Sequence, residues 1–285
     1  MKNLNTFHRG FRSALMAMLV ALPLAATAQT GKYADVNGLH MYYEVHGTGD
    51  PIVLLHGAFS TADAWGPITT SIAKTRQVIV VELEGHGHTK DLDRPLSVDQ
   101  MSDDVAAMIK QLGLGKVDVL GYSMGGFVTM SLAIHHPEYV RRAVVLSAAS
   151  GPVKETFDPM NFQIMSSMTP ENFNFPEVKD PYTKVAPDPS RWPILVKKVV
   201  SMVLAFPGFT ADQMKSIKAE VLIIGGDHDG FRLESLVDTF RAIPGAQLAI
   251  LPGGDHFLPI TSPDDVVALA LPFLNGVKRA SLPGG

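Results

Sequence analysis

Short apolar runs alternate along this chain with longer segments whose apolar positions recur every three or four residues. The runs at 52–55, 78–81, 117–120, 143–146, 221–224 and 247–251 are apolar almost throughout. Such short continuous runs fit strands buried on both faces, as in a parallel sheet. Residues 33–36 and 39–46 are two further strand-like runs. Asn37-Gly38 between them predicts a two-residue hairpin turn. Helical spacing is clearest over 97–112, where Val98, Met101, Val105, Met108, Ile109 and Leu112 share one face. Ser97 with Gln100 predicts a capping box at its start, and Gly113 ends it. Helices are also predicted around 65–73, from Gly126 until near His136, and over 262–274.

Strands alternating with helices predict an α/β fold: a mostly parallel sheet with right-handed crossovers and helices on both faces. The alternation breaks at 151–216. That stretch holds nine of the chain's 20 prolines, eight aromatics and five methionines, with no strand pattern. It predicts a helical insertion of several short helices. The expected organisation is a core of residues 32–150 and 217–276, an inserted helical cap at 151–216 and a tail at 277–285. No internal repeat stands out.

Composition narrows the function. With 285 residues and 46% hydrophobic content, the chain can bury a sizeable core. Formal net charge is −4 with no block of like charges, which argues against a nucleic-acid partner. There is no cysteine, hence no disulfide and no thiolate chemistry. Lys2, Arg9 and Arg12 precede the apolar run 14–22, and Ala26-Thr27-Ala28 has small-x-small character. This predicts a secretory signal peptide at 1–28, cut after Ala28, and a periplasmic or secreted protein. The run is too short to span a membrane, so no stable anchor is expected after cleavage.

The candidate chemistry centres on Gly121-Tyr122-Ser123-Met124-Gly125, between a predicted strand and a predicted helix. Gly-x-Ser-x-Gly in that setting is the nucleophile elbow, a strained turn that presents the serine hydroxyl before a helix N-terminus. Helix N–H groups there favour developing negative charge. A serine nucleophile needs a base and a group to orient it. The run 221–224 leads into Gly225-Gly226-Asp227-His228-Asp229, and 247–251 leads into Gly253-Gly254-Asp255-His256-Phe257. His256 is the candidate base. Asp229 and Asp227 compete as the acid. His86 and His56 are read as loop-positioning residues, and His135-His136 as a favourable charge at a helix end. Neither His86-x-His88 nor Asp255-His256 has a third ligand, so no metal is expected.

Four motifs in order give the chain its resemblance to the α/β-hydrolase superfamily over about residues 33–275. They are His56-Gly57 after a strand, Gly85-His86-Gly87 after the next, the elbow at Ser123, and the Gly-x-x-Asp and Gly-x-x-His strand ends. The resemblance implies that Ser123 attacks a carbonyl, that His256 shuttles the proton, and that Asp229 rather than Asp227 orients the imidazole. It implies an oxyanion hole from the backbone N–H groups of Met124 and Ala58, with Phe59 the near alternative. Phe59, Tyr122 and Phe257 are expected to touch substrate, and no cofactor is implied. Glu84 departs from the acidic-x-Arg pattern that often precedes Gly-x-Gly.

The insertion carries seven basic and seven acidic residues and an excess of aromatics and methionines. An apolar pocket over Ser123 suits a small to medium, uncharged ester. The expectation is a carboxylic-ester hydrolase working through an acyl-enzyme. A lactonase, carbon–carbon-bond hydrolase or perhydrolase would use the same triad. A non-catalytic ligand-binding protein of the same fold is the reading from another class.

Overall fold

A computed structural model describes residues 31–277. The expected signal peptide at 1–28, and all of the tail at 277–285 except Val277, lie outside the described residues. The first strands, β1 (Lys32–Val36) and β2 (Leu39–His46), form a hairpin. Its turn puts Asn37 at φ 49° and Gly38 at φ 81°, the left-handed pair that Asn-Gly supplies most readily. Then come β3 (Pro51–Leu55), α1 (Gly66–Ile72) after a 3-10 turn at Ala62–Trp65, and β4 (Gln77–Val81). Next are α2 (Val98–Gln111), β5 (Val117–Tyr122), α3 (Met124–His135) and β6 (Val140–Leu146).

The alternation of strand and helix breaks after β6. Five helices follow β6: α4 (Val153–Thr156), α5 (Pro159–Ser167), α6 (Pro176–Val185), α7 (Trp192–Ala205) and α8 (Ala211–Ser216). It resumes with β7 (Glu220–His228), α9 (Leu233–Ala242), β8 (Gln247–Asp255), α10 (Leu258–Thr261) and α11 (Pro263–Leu274).

The eight strands form one sheet in the order β1-β2-β4-β3-β5-β6-β7-β8. β2 runs antiparallel to β1 and β4, and every other pair is parallel. The chain steps from β3 outward to β4, then jumps back past β3 to β5. That reversal opens a crevice at the carboxyl ends of β3 and β5, where open α/β sheets place their ligands. Helices α2, α3 and α9 cover one face of the sheet, and α1 with α11 covers the other.

One local expectation needs correction. The capping box on α2 is only half formed. Ser97 Oγ accepts the Gln100 N–H at 3.4 Å, but the Gln100 side chain turns to Asp104 Oδ1 at 3.1 Å instead of returning to Ser97. Asp104 is buried and already faces Asn37 and Arg94, so the amide is drawn into that network. Glu84, which stands where the family pattern often has arginine, is buried and held by two Arg94 nitrogens at 2.8 and 2.6 Å, so the missing positive charge is supplied from elsewhere in the chain. Arg94 comes from ten residues downstream, where a motif confined to neighbouring residues does not look.

Candidate active site

Ser123 stands at the tip of β5, at the N-cap of α3, with φ 52° and ψ −114°. A non-glycine residue held there is strained, and the surroundings keep it so. Its N–H donates to the Leu146 carbonyl at 2.9 Å, and its carbonyl accepts from Gly126 at 2.8 Å. The flanking glycines are required by contact. A Cβ on Gly121 would fall on the Gly125 carbonyl and the Thr129 hydroxyl, and one on Gly125 would fall on the Leu55 carbonyl. Only bare backbone lets α3 start so close to the ends of β3 and β5.

His256 follows β8, and Asp229 follows β7. These strand ends approach so closely that a Cβ on Gly226 would overlap the Gly254 carbonyl. The ladder slips between Gly226 and His228, and the slip separates the fates of the two aspartates. Asp227 faces outward and braces the next turn, accepting the Gly253 N–H at 2.7 Å. Asp229 turns inward and is buried. Its Oδ1 lies 2.8 Å from His256 Nδ1, and His256 Nε2 lies 3.0 Å from Ser123 Oγ. His228 is largely exposed, 4.0 Å from Asp227, and bonds neither Ser123 nor Asp229.

Burial drives the Asp229 carboxyl toward its neutral form, but the hydrogen bond and charge of His256 outweigh it, helped by the Ser147 hydroxyl and the Phe231 N–H. The net effect holds Asp229 below the ordinary carboxylate range. The Ser147 contact is a loose one. Neither Ser147 Oγ nor Asp229 Oδ2 has a hydrogen-bond partner of good geometry. An ionised Asp229 on Nδ1 fixes the tautomer that leaves Nε2 free to accept the serine proton.

Met124 opens α3, so its N–H has no partner within the helix. Neither it nor the Ala58 N–H is paired among the described residues. Ala58 lies in the loop after β3, and β3 pairs directly with β5. His56 shapes that loop: its Nδ1 lies 2.7 Å from the Gly57 carbonyl and its Nε2 accepts the Leu83 N–H at 3.0 Å. Phe59, at φ 61°, turns the chain back beneath Phe173 and Trp192. His86 is buried beside His56, with ring centroids 5.0 Å apart, and does not line the cavity.

A cavity of about 260 Å³ opens over Ser123 and His256. Phe127, Phe157, Met165, Met168, Phe173 and Val203 form its walls. Ala58, Phe59, Tyr122 and Phe257 line it and also line an adjoining hollow of about 390 Å³. Among the described residues no Lys or Arg lines either space. Burial, then the charges of Asp229 and Asp255, raise the Tyr122 phenol, so it stays neutral. Asn161, which no sequence motif marked, also lines the cavity over Ser123. It sits one residue past Met160 on α5, and only the fold of the insertion brings it there. Among the described residues no group of three or more His, Cys, Asp or Glu could hold a metal ion, and no helix is long and apolar enough to cross a membrane.

The arrangement resembles that of known hydrolases over most of the chain. A protein of Azorhizobium caulinodans, which bears the provisional name carbamate hydrolase RutD, is 27% identical over 274 residues, covering 87% of this chain and 99% of its own. The 2-hydroxymuconate semialdehyde hydrolase of Pseudomonas sp. is 29% identical over 136 residues, 46% of this chain and 48% of its own. The enol-lactonase of Burkholderia xenovorans shares the fold, with a TM-score of 0.67, 20% identity, and 85% and 99% of the two chains covered. A profile described as the alpha/beta hydrolase family matches residues 52–269. That match spans β3 to α11 and takes in both strand ends that carry Asp229 and His256, and the chain belongs to the alpha/beta hydrolase family.

Proposed function

We propose that this protein is a serine hydrolase that cleaves a carboxylic ester of a small to medium, uncharged and largely apolar substrate through an acyl-enzyme. The observation that carries the reading is the continuous chain Ser123–His256–Asp229, at 3.0 and 2.8 Å. In this reading the Ser123 turn is a nucleophile elbow and residues 151–216 are a cap over it. Ser123 Oγ attacks the ester carbonyl while His256 Nε2 takes its proton. The carbonyl oxygen, now negative, lies against the Met124 and Ala58 N–H groups, each worth about 3–4 kcal/mol to the transition state. His256 then protonates the departing alcohol, leaving the acyl group on Ser123. A water, deprotonated by His256, releases the acid and restores the serine.

The lining supports an uncharged substrate. A carboxylate entering a cavity without Lys or Arg would lose hydration and gain no opposite charge. The relatives are named for a carbamate, provisionally, a semialdehyde and an enol-lactone. Lactone or carbon–carbon bond cleavage on the same three residues is therefore the second reading. The test is hydrolysis of p-nitrophenyl esters from acetate to dodecanoate by wild type and Ser123→Ala. Turnover should fall by roughly 10⁶-fold in the variant. Residual activity within tenfold of wild type would exclude the mechanism. Wild type that cleaves no ester yet is labelled at Ser123 by a phosphonate would favour the lactone or carbon–carbon reading. The proposal includes export to the periplasm or beyond, with residues 1–28 removed. Protein from the native host should begin at Gln29 by mass spectrometry, and an intact Met1 would refute cleavage.

A further inference from the structure

Asn161 is the one cap side chain in the cavity over Ser123 that can both donate and accept a hydrogen bond. Its neighbours from the insertion, Phe157, Ile164, Met165, Met168 and Phe173, offer only carbon and sulfur. Among the described residues its amide makes no hydrogen bond. Its position is nonetheless built. The Asp158 N–H donates to the Gly230 carbonyl at 3.0 Å, and the Arg232 N–H donates to the Thr156 carbonyl at 2.8 Å. Phe157 bridges Phe231, with ring centroids 4.6 Å apart. Asp158 also caps α5, accepting the Met160 N–H at 2.9 Å. These bonds lock the start of α5 onto the loop that follows Asp229, one helical turn ahead of Asn161. A Cβ placed on Gly230 would lie 3.7 Å from the His256 ring and 3.9 Å from Asn161 Cγ, so the amide and the imidazole flank one glycine.

An amide in such a pocket separates substrates. A hydrocarbon chain filling the cavity strips water from Asn161 and returns nothing. A substrate with its own hydrogen-bonding group returns at least one hydrogen bond to the amide. Resting on the ester-hydrolase reading, we infer that Asn161 selects neutral esters carrying one uncharged hydrogen-bonding group, a hydroxyl, keto or amide, on the part of the substrate that lies beside His256. A carboxylate does not qualify, because Asn161 supplies no charge and no Lys or Arg among the described residues lines the cavity.

Two matched pairs test this: p-nitrophenyl hexanoate against p-nitrophenyl 3-hydroxyhexanoate, and butyl acetate against 3-hydroxybutyl acetate. The first pair puts the hydroxyl on the acyl side, the second on the alcohol side. The readout is the ratio of kcat/KM within each pair, which does not depend on the fraction of enzyme that is folded. Wild type should favour the hydroxylated member of one pair by about tenfold or more, and Asn161→Leu should bring that ratio to about one. A wild type without preference in either pair, or a preference that survives Asn161→Leu, would overturn the role of Asn161 while leaving the ester reading intact. A wild type that cleaves none of the four esters would overturn both.

Discussion

Acid should unfold this protein through two buried histidines. His56 and His86 are fully enclosed. Burial pushes their pKa values down to about 3 and about 4, from an ordinary 6.5, and the neighbouring His86 depresses His56 further. Both are bases whose folded values are depressed. Below about pH 6.5 the unfolded chain therefore takes up protons that the native chain refuses, and stability falls with pH. Near pH 5 the unfolded pair holds nearly two protons and the native pair almost none, a slope of about 2–3 kcal/mol per pH unit. Summed from pH 7 to pH 4, the loss is about 6 kcal/mol, comparable with the whole stability of many domains. His88 works in the opposite sense, because its hydrogen bond to Glu82 raises its pKa. It is protonated in both states near pH 5 and adds no slope there. The loss reaches the site as well. A protonated His56 Nε2 cannot accept the Leu83 N–H, and that bond holds the loop bearing Ala58. The assay is urea unfolding followed by the fluorescence of the buried Trp65 and Trp192, at pH steps from 7 to 4.5. His86→Leu removes one of the two titrations and should cut the slope near pH 5 by about half. A wild-type slope under about 1 kcal/mol per pH unit, or an equal slope in His86→Leu, would refute the reasoning.

Three further expectations concern single groups. Asp229→Asn should lower kcat by about 10⁴-fold through the wrong imidazole tautomer, whereas Asp227→Asn, whose amide oxygen can still accept the Gly253 N–H, should stay within about threefold; steady-state kinetics on one ester decide, and the reverse ranking would transfer the acid to Asp227. Asp118 lies wholly buried on β5 between Arg76, at 2.5 Å, and Arg141, at 2.8 Å. Asp118→Ala should cost about 3–5 kcal/mol in denaturant unfolding by leaving Arg76 buried and unpaired, and a loss under about 1 kcal/mol would show that water replaces the carboxylate. Gly125→Ala, whose new methyl group meets the Leu55 carbonyl, should force α3 off the end of β3 and remove phosphonate labelling of Ser123 even where circular dichroism remains native.

Much of the architecture was legible because it rests on neighbours along the chain. Most of the short apolar runs become strands with both faces covered, though the run at 247–251 ends as the half-exposed edge strand β8, and the hairpin at Asn37-Gly38 follows from which residues tolerate positive φ. The Ser123 turn was readable for the same reason: the close approach of α3 to β5 demands glycine at fixed spacing on either side. The order of strands in the sheet was less accessible, since a sequence shows alternation but not the jump from β4 past β3 to β5.

Where groups distant in sequence come to rest is set by packing in three dimensions. The residues alone could not choose between Asp227 and Asp229, because both follow the same strand two residues apart. The slip between β7 and β8 sends one to the Gly253 turn and the other to His256. Gln100 leaves its cap for Asp104, and Glu84 finds Arg94, because buried carboxylates draw any donor within reach whatever its place in the chain. Asn161 belongs to no local pattern. Its place beside His256 comes from bonds between the start of α5 and the loop after Asp229, some seventy residues apart. Near neighbours along the chain set which backbone conformations each segment could adopt, through sterics and periodicity. Which polar groups meet in the crevice was left to packing, because hydrogen bonds and charges in a buried site are satisfied by proximity in space.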